Sequence, residues 1–306
     1  MQFVELKNAL KNKVEPIYML YGTDIFLINK SIELIANALI TQEVTKFDET
    51  ATASRIKMAC QTVSLFGGKR MVIVRGVGDA VLKELAGYIS RPNTDCALVL
   101  VYNAEKITAK NTQTVDCNPM AEAVIVKLIV NQLASQGKQI TGQGAMMLSL
   151  YCGNNYARID GEINKLVNFY KDIQILDKQH IEETVTKTEE FQIYELGNAV
   201  TKKDLVLSEK ILGRLLTAGV EEYAIFGSLV SHIRRLYYSL LTSCQPENVA
   251  AILKCSPWAV VYARRDHKYL VPDIGKLYKK ALDLEYAIKS GGVSITSAIE
   301  ILRMAV

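Results

Sequence analysis

Pro16-Ile17-Tyr18-Met19-Leu20-Tyr21-Gly22-Thr23-Asp24-Ile25-Phe26-Leu27 decides how the first part of this chain is read. A mostly apolar run of strand length meets a glycine, and a long helical pattern follows. Ile25, Ile28, Ile32, Ile35, Ala36 and Leu39 make the inner face of that helix, with Thr23 or Asp24 as its cap. A strand, a glycine turn and a helix in this order are the setting of a phosphate-binding P-loop, but the loop itself is missing. With Gly22 taken as the first glycine of G-x-x-x-x-G-K-[ST], Leu27, Ile28 and Asn29 stand where Gly-Lys-Ser/Thr belong. Bulky side chains there block close approach of backbone amides to phosphate, and Asp24 adds the wrong charge.

The pattern repeats outward from this unit. Thr45-Lys46-Phe47-Asp48 reads as a short strand, and Ala53, Ile56, Ala59, Cys60 and Val63 recur at helical spacing after it. Met71-Val72-Ile73-Val74 is a buried strand, Val81 to Ile89 a helix, and Pro92-Asn93 a turn into the strand Cys96-Ala97-Leu98-Val99-Leu100-Val101. That strand ends in Tyr102-Asn103, where a P-loop ATPase would place the acidic residues of its magnesium shell. Ala123-Val124-Ile125-Val126 is expected to be the last strand. Strands separated by helices predict an α/β domain with a mostly parallel sheet over residues 1–131.

Beyond residue 131 the pattern is helical. Residues 132–187 read as a small helical domain, with Ile159, Ile163, Leu166, Val167 and Tyr170 on one helix face. Residues 188–306 read as an all-helical domain, in which Gly219 separates a segment over Leu205 to Leu216 from a long helix bearing Ile225, Phe226, Leu229, Ile233, Leu236, Tyr237 and Leu240.

The stretch Ser64-Leu65-Phe66-Gly67-Gly68-Lys69-Arg70 stands apart. The preceding helix is expected to run to Leu65-Phe66 and to close on Gly67 as a left-handed cap. Adjacent residues on a helix point about 100° apart, so one buried face cannot easily hold both side chains. Either the local turn tucks them in, or they project as a pair of apolar knobs that a partner covers.

Composition and charge narrow the remaining choices. Lys+Arg against Asp+Glu count 15 to 13 in residues 1–131, 6 to 6 in 132–187 and 15 to 13 in 188–306, so no segment is a basic domain. No run approaches the roughly 18 apolar residues of a membrane span, and Met1 to Lys7 lacks the apolar core of a signal peptide, so a cytoplasmic protein is expected. The six cysteines (60, 96, 117, 152, 244 and 255) are dispersed, and the three histidines (180, 232 and 267) lie near no cysteine cluster, so reduced thiols in the core are expected rather than zinc or disulfides. Gly76-Val77-Gly78 and Gly142-Gln143-Gly144 lack the rest of a nucleotide fingerprint, Asp160-Gly161-Glu162 reads as a solvated helix start, and His232 as a core-edge histidine. A basic run over residues 254–280, with Arg264, Arg265, Lys268, Lys276, Lys279 and Lys280 interleaved with Tyr262, Tyr269 and Tyr278, reads as a DNA contact, a subunit contact or a solvated face.

Taken together, Tyr18 to Leu27, Ser64 to Val74, the Glu162-Ile163-Asn164-Lys165-Leu166 helix, Glu190-Phe191 and Gly219 to Arg235 resemble the delta subunit of the bacterial DNA polymerase III clamp loader. The resemblance spans nearly the whole chain and rests on order and spacing. It implies an AAA+-like α/β domain without ATPase residues, a small helical lid domain and a helical collar domain. It further implies a non-catalytic subunit of a DNA-directed DNA polymerase (nucleotidyltransferase) holoenzyme, without a cofactor or metal of its own, that binds the ring-shaped beta sliding clamp and opens it. Leu65 and Phe66 would enter a hydrophobic pocket on the clamp, with Ser64, Lys69 and Arg70 at the rim. Implied partners are the clamp, the gamma/tau ATPase and delta-prime subunits, and primer–template DNA. Gly67-Gly68 departs from the family pattern by adding freedom behind the phenylalanine. The sister delta-prime subunit fits less well, since its zinc-binding cysteine cluster and Ser-Arg-Cys motif are both missing. Two readings stand beside this one: a degenerate P-loop-type nucleotide enzyme, and a stand-alone DNA-binding repair module using the 254–280 run.

Overall fold

The structure, a computed structural model, describes residues 1–41, 43–63, 68–102, 104, 111–253, 255, 260, 261, 263, 264 and 271–305. By its contacts the chain divides into two compact units, one of residues 1–149 and 154–185, the other of residues 150–153 and 186–306.

The first unit is built on a five-stranded sheet in the order β2-β3-β4-β1-β5. Its strands are β1 (Ile17–Tyr21), β2 (Val44–Phe47), β3 (Arg70–Arg75), β4 (Cys96–Tyr102) and β5 (Gln113–Asp116), and every pairing is parallel. Helices α1 (Phe3–Asn12), α2 (Ile25–Leu39), α3 (Ala53–Gln61) and α4 (Asp79–Ser90) accompany it. The central strands are buried on both faces, as parallel strands between helix layers must be. On one face Ile17, Met19, Val72, Val74, Leu98 and Leu100 pack with Ile56 and Cys60 of α3 and with Leu85 and Tyr88 of α4. Tyr18, Leu20, Ile73 and Val99 point to the opposite face and are equally buried.

The fifth strand corrects the sequence expectation. Ala123–Val126 does not pair in the sheet but lies in α5 (Glu122–Ser135), where Ile125, Ile129 and Leu133 repeat every fourth residue and are fully buried. A four-residue apolar run with three β-branched members cannot distinguish strand from helix, and the longer period decides it. The edge position beside β1 belongs instead to β5, a mostly polar strand in which only Val115 is fully buried.

The remainder of this unit contains β6 (Gln139–Ile140) paired in parallel with β7 (Ile175–Leu176), and helices α6 (Gly142–Tyr151), α7 (Tyr156–Phe169) and α8 (Lys178–Thr184), although the last turn of α6 groups with the second unit. Tyr156 of α7 meets the rings of Phe3 and Phe26 edge-on at 6.1 and 5.9 Å, and its hydroxyl donates to Gln132 of α5 at 2.8 Å. Buried Lys138 places its ammonium against the carbonyls of Tyr170, Lys171 and Ile173 at 2.6, 3.1 and 2.8 Å, a cation closing the C-terminal end of α7.

The second unit is helical, as expected: α9 (Glu189–Thr201), α10 (Leu205–Thr217), α11 (Glu222–Leu241), α12 (Pro246–Leu253), α13 (Val271–Lys289) and α14 (Ile295–Met304). Leu196, Ile211, Leu215, Ile225, Leu229, Ile233, Ala281 and Leu302 form its core. His232 is buried in this unit against Tyr194 at 5.6 Å, and its ring lies where a Cβ on Gly197 would sit, 2.6 Å away.

One backbone position holds the first unit to its register. Gly22 has φ 132°, and a Cβ there would stand 2.4 Å from the carbonyl carbon of Cys117. Gly22→Ala should therefore lower stability by about 3 kcal/mol or more. Gly87 of α4 is exposed and has open space around it, so Gly87→Ala should raise stability by about 0.5–1 kcal/mol. Urea titration of both variants checks the contrast.

Candidate functional site, a loop anchored between a helix end and a strand

The β1–α2 turn is where a nucleotide would bind if this chain bound one. Asp24 is the N-cap of α2, and its Oδ1 accepts the amides of Phe26 at 2.9 Å and Leu27 at 3.2 Å. Those amides at a helix N-terminus are the groups a phosphate would otherwise occupy. The turn thus carries its own carboxylate in the anion position. Leu27 and Ile28, in the places of the motif's glycine and lysine, are buried in the core. At the end of β4 the Tyr102 hydroxyl donates to Asp79 at 2.5 Å.

The stretch around Ser64 begins at the end of α3. Thr52 caps that helix by accepting the Arg55 amide at 3.4 Å, and Ala53, Ile56 and Cys60 bury its inner face. The expected run to Leu65-Phe66 is not reached: α3 ends at Gln61, and Thr62 turns extended with φ −64° and ψ 134°. Two β-branched residues, Thr62 and Val63, favour that exit. Ser64, Leu65, Phe66 and Gly67, including the expected knobs and cap, lie outside the described residues. The chain resumes at Gly68, with φ 95°, and enters β3 at Arg70.

The described residues on either side of 64–67 are tied down. The Asn93 side-chain amide donates to the Cys60 carbonyl at 2.9 Å, and Arg70 Nη1 donates to the Thr62 carbonyl at 3.0 Å. Arg70 Nε lies 3.0 Å from Glu43 Oε2, and the Arg70 amide donates to the Asp95 carbonyl at 2.9 Å. Thr62, Val63, Gly68, Lys69, Arg70, Asn93 and Asp95 line a depression of about 350 Å³. Apolar surface surrounds the exit: Val63 is 82% exposed and Met58 69%. At the C-cap of α2, Ile40 is 92% exposed in the left-handed region at φ 53°, a strained position for a β-branched residue. Sequence reasoning missed Glu43, Asn93 and Ile40, because no local pattern marks them.

Four of the described thiols are enclosed by the core, and two of them are held protonated, while the hydrogen bond with Cys60 pushes the Cys96 thiol downward. Cys60, Cys96, Cys117 and Cys152 are buried, while Cys244 is exposed. A hydrogen bond to Cys96 and burial push the Cys60 thiol upward, so it stays protonated. Burial pushes Cys117 up to about 11. Among the described residues no group of three or more His, Cys, Asp or Glu could hold a metal ion, and no helix is long and apolar enough to cross a membrane.

In the helical unit the basic run separates into parts. Arg264 turns inward, with Nε donating to the Ser239 carbonyl at 2.9 Å and Nη2 to those of Thr242 and Cys244 at 2.8 Å each, closing the C-terminus of α11. Lys276, Lys279 and Lys280 are exposed on α13, and Lys276 lies 3.7 Å from Asp273. Lys203, which the sequence did not single out, joins Lys276, Lys280 and Asp273 around a depression of about 410 Å³. Tyr278 stacks on Tyr237 at 5.5 Å. Arg265, Lys268, Tyr262 and Tyr269 lie outside the described residues.

Comparison with known proteins covers both units. The family described as DNA polymerase III, delta subunit, matches residues 18–128, and the one described as DNA polymerase III delta subunit, C-terminal domain, matches residues 190–306. The chain is 22% identical to DNA polymerase III subunit delta of Bacillus subtilis, covering 95% of this chain and 92% of that protein. It is 26% identical to the probable DNA polymerase III subunit delta of Rickettsia prowazekii, over 72% of each. The solved structure of the Bacillus subtilis DNA clamp loader delta protein superposes with a TM-score of 0.65 at 20% identity, covering 99% of this chain and 98% of that one.

The inward turn of Arg264 has a measurable consequence. Arg264→Ala should lower stability by about 1–3 kcal/mol, because the last carbonyls of α11 lose charged donors. Urea titration reads this directly. Unchanged stability with weakened binding to primed DNA would instead place the side chain on nucleic acid.

Proposed function

The chain belongs to the DNA polymerase III delta-subunit family, and from that premise we propose that it binds the beta sliding clamp through Leu65 and Phe66 and opens the ring during clamp loading. The observation that carries this reading is the anchored loop. The described residues on either side of positions 64–67 are held by Asn93 and Arg70, and Val63 before them is exposed and apolar. Burying both side chains in a pocket is worth roughly 3–6 kcal/mol, at about 1.5–3 kcal/mol each, enough for a hot spot within a polar rim. Ser64 and Lys69 are proposed rim contacts.

In this reading residues 1–131 are the AAA+-like domain that presents the loop, 132–187 the lid and 188–306 the collar. The collar assembles with the gamma/tau ATPase and delta-prime subunits, and the complex acts on primer–template DNA in the cytoplasm. Lys276, Lys279, Lys280, Arg265 and Lys268 are its proposed DNA or subunit contacts. The subunit contributes no catalysis, ATP acting in its neighbours. The alternative of a nucleotide enzyme is disfavoured by Asp24, whose carboxylate takes the helix amides that a phosphate needs.

Leu65→Ala combined with Phe66→Ala should abolish capture of the chain by immobilised sliding clamp while leaving its melting temperature unchanged. Clamp capture that survives the double substitution rules the plug out. Titration calorimetry with ATP and magnesium should give no saturable heat, and micromolar binding there would restore the enzyme reading.

A further inference from the structure

The guanidinium of Arg70 is turned into the protein rather than toward a partner. Its side chain is 17% exposed, with Nη1 on the Thr62 carbonyl and Nε beside the Glu43 carboxylate. A residue reaching across an interface would leave those donors in solvent. Here Nη1 donates to the carbonyl of Thr62, the C-cap residue of α3 and one of the acceptors a helix end leaves without intrahelical partners, while Nε is paired by charge with Glu43. Asn93 does the same for the Cys60 carbonyl, two residues earlier. A cation at a helix C-terminus also opposes the negative end of the helix dipole. Glu43, half-buried on the chain entering β2, aims the guanidinium, and its own carbonyl accepts the Met71 amide at 3.0 Å. Four separate segments (α3, the approach to β2, the start of β3 and the turn before β4) therefore meet at the two ends of one short loop.

Resting on the clamp-binding reading above, we propose that Arg70, oriented by Glu43 and seconded by Asn93, is a positioning residue that fixes where the Leu65-Phe66 loop leaves α3, and is not itself a contact with the clamp. A loop whose stem is already fixed loses less conformational freedom when its two side chains are seated, and that preorganisation appears as affinity. Gly68, in the left-handed region at φ 95° where the described chain resumes, makes the requirement sharper, since a glycine there adds freedom that the stem must limit.

The test uses the full chain and the sliding clamp, with affinity read by surface plasmon resonance at several salt concentrations and amide hydrogen exchange read across residues 62–69. Arg70→Gln and Glu43→Gln should each weaken clamp binding about tenfold. Their combination should be no worse than either alone, because both remove one bridge. Exchange should rise in both variants, and Arg70→Lys should recover part of the affinity by reaching one partner but not two. Glu43→Gln decides between roles, because losing a carboxylate cannot harm a direct contact between Arg70 and an acidic partner. If Arg70→Gln weakens binding with a shallower salt dependence while Glu43→Gln has no effect, Arg70 is a rim contact and the inference is overturned. It is also overturned if neither substitution changes affinity while the Leu65, Phe66 double substitution abolishes it. Survival of binding in that double variant overturns the plug reading itself, an outcome separate from both.

Discussion

The close approach of the β1–α2 turn to the chain leaving β5 is the constraint on which the first unit rests. The Cys117 amide donates to the Tyr21 carbonyl at 2.7 Å, and the Asp24 amide to the Cys117 carbonyl at 3.1 Å. Between these two bonds only a residue without a Cβ fits, and Gly22 stands there at φ 132°. β1 is paired on both sides, to β4 and β5, so the sheet order follows from how this strand ends. The same turn starts α2, and Asp24 then closes the amides of its first turn. A geometry suited to phosphate is thereby spent on holding the protein together.

Structural roles of this kind recur at other polar groups. Arg264 closes α11, Lys138 closes α7 and Arg70 closes α3, each by donating to carbonyls at a helix C-terminus. Cations at these ends satisfy orphan acceptors and oppose the helix dipole together. In α3 this closure lies directly before residues 64–67 in the chain.

Much of this was legible in the sequence. The unbroken apolar runs Ile17–Leu20 and Met71–Val74, the helix period from Ile25 to Leu39, a cap at Thr23 or Asp24 and the missing P-loop all follow from neighbours within a few residues. The helical character after residue 188 and the burial of His232 did as well. The reading failed at Ala123–Val126, where four apolar β-branched-rich residues matched a strand but belonged to the longer repeat Ile125, Ile129, Leu133. It overran α3 because Val63 continues the apolar spacing while standing 82% exposed outside the helix.

The sequence by itself determined the first four strands with the helices between them, the helical character after residue 188, the loss of the nucleotide motif and the presence of the Leu-Phe pair, because each is written in local residue types and periods. Only the tertiary structure decided that α3 stops at Gln61, that the edge strand is Gln113–Asp116, and that Arg70 and Arg264 face inward. The physical reason is separation along the chain. The carbonyl of Cys60 finds its donor in Asn93, 33 residues away, and that of Ser239 in Arg264, 25 residues away. No local pattern encodes such a meeting; it exists only once the sheet and the helix bundle have brought those segments together.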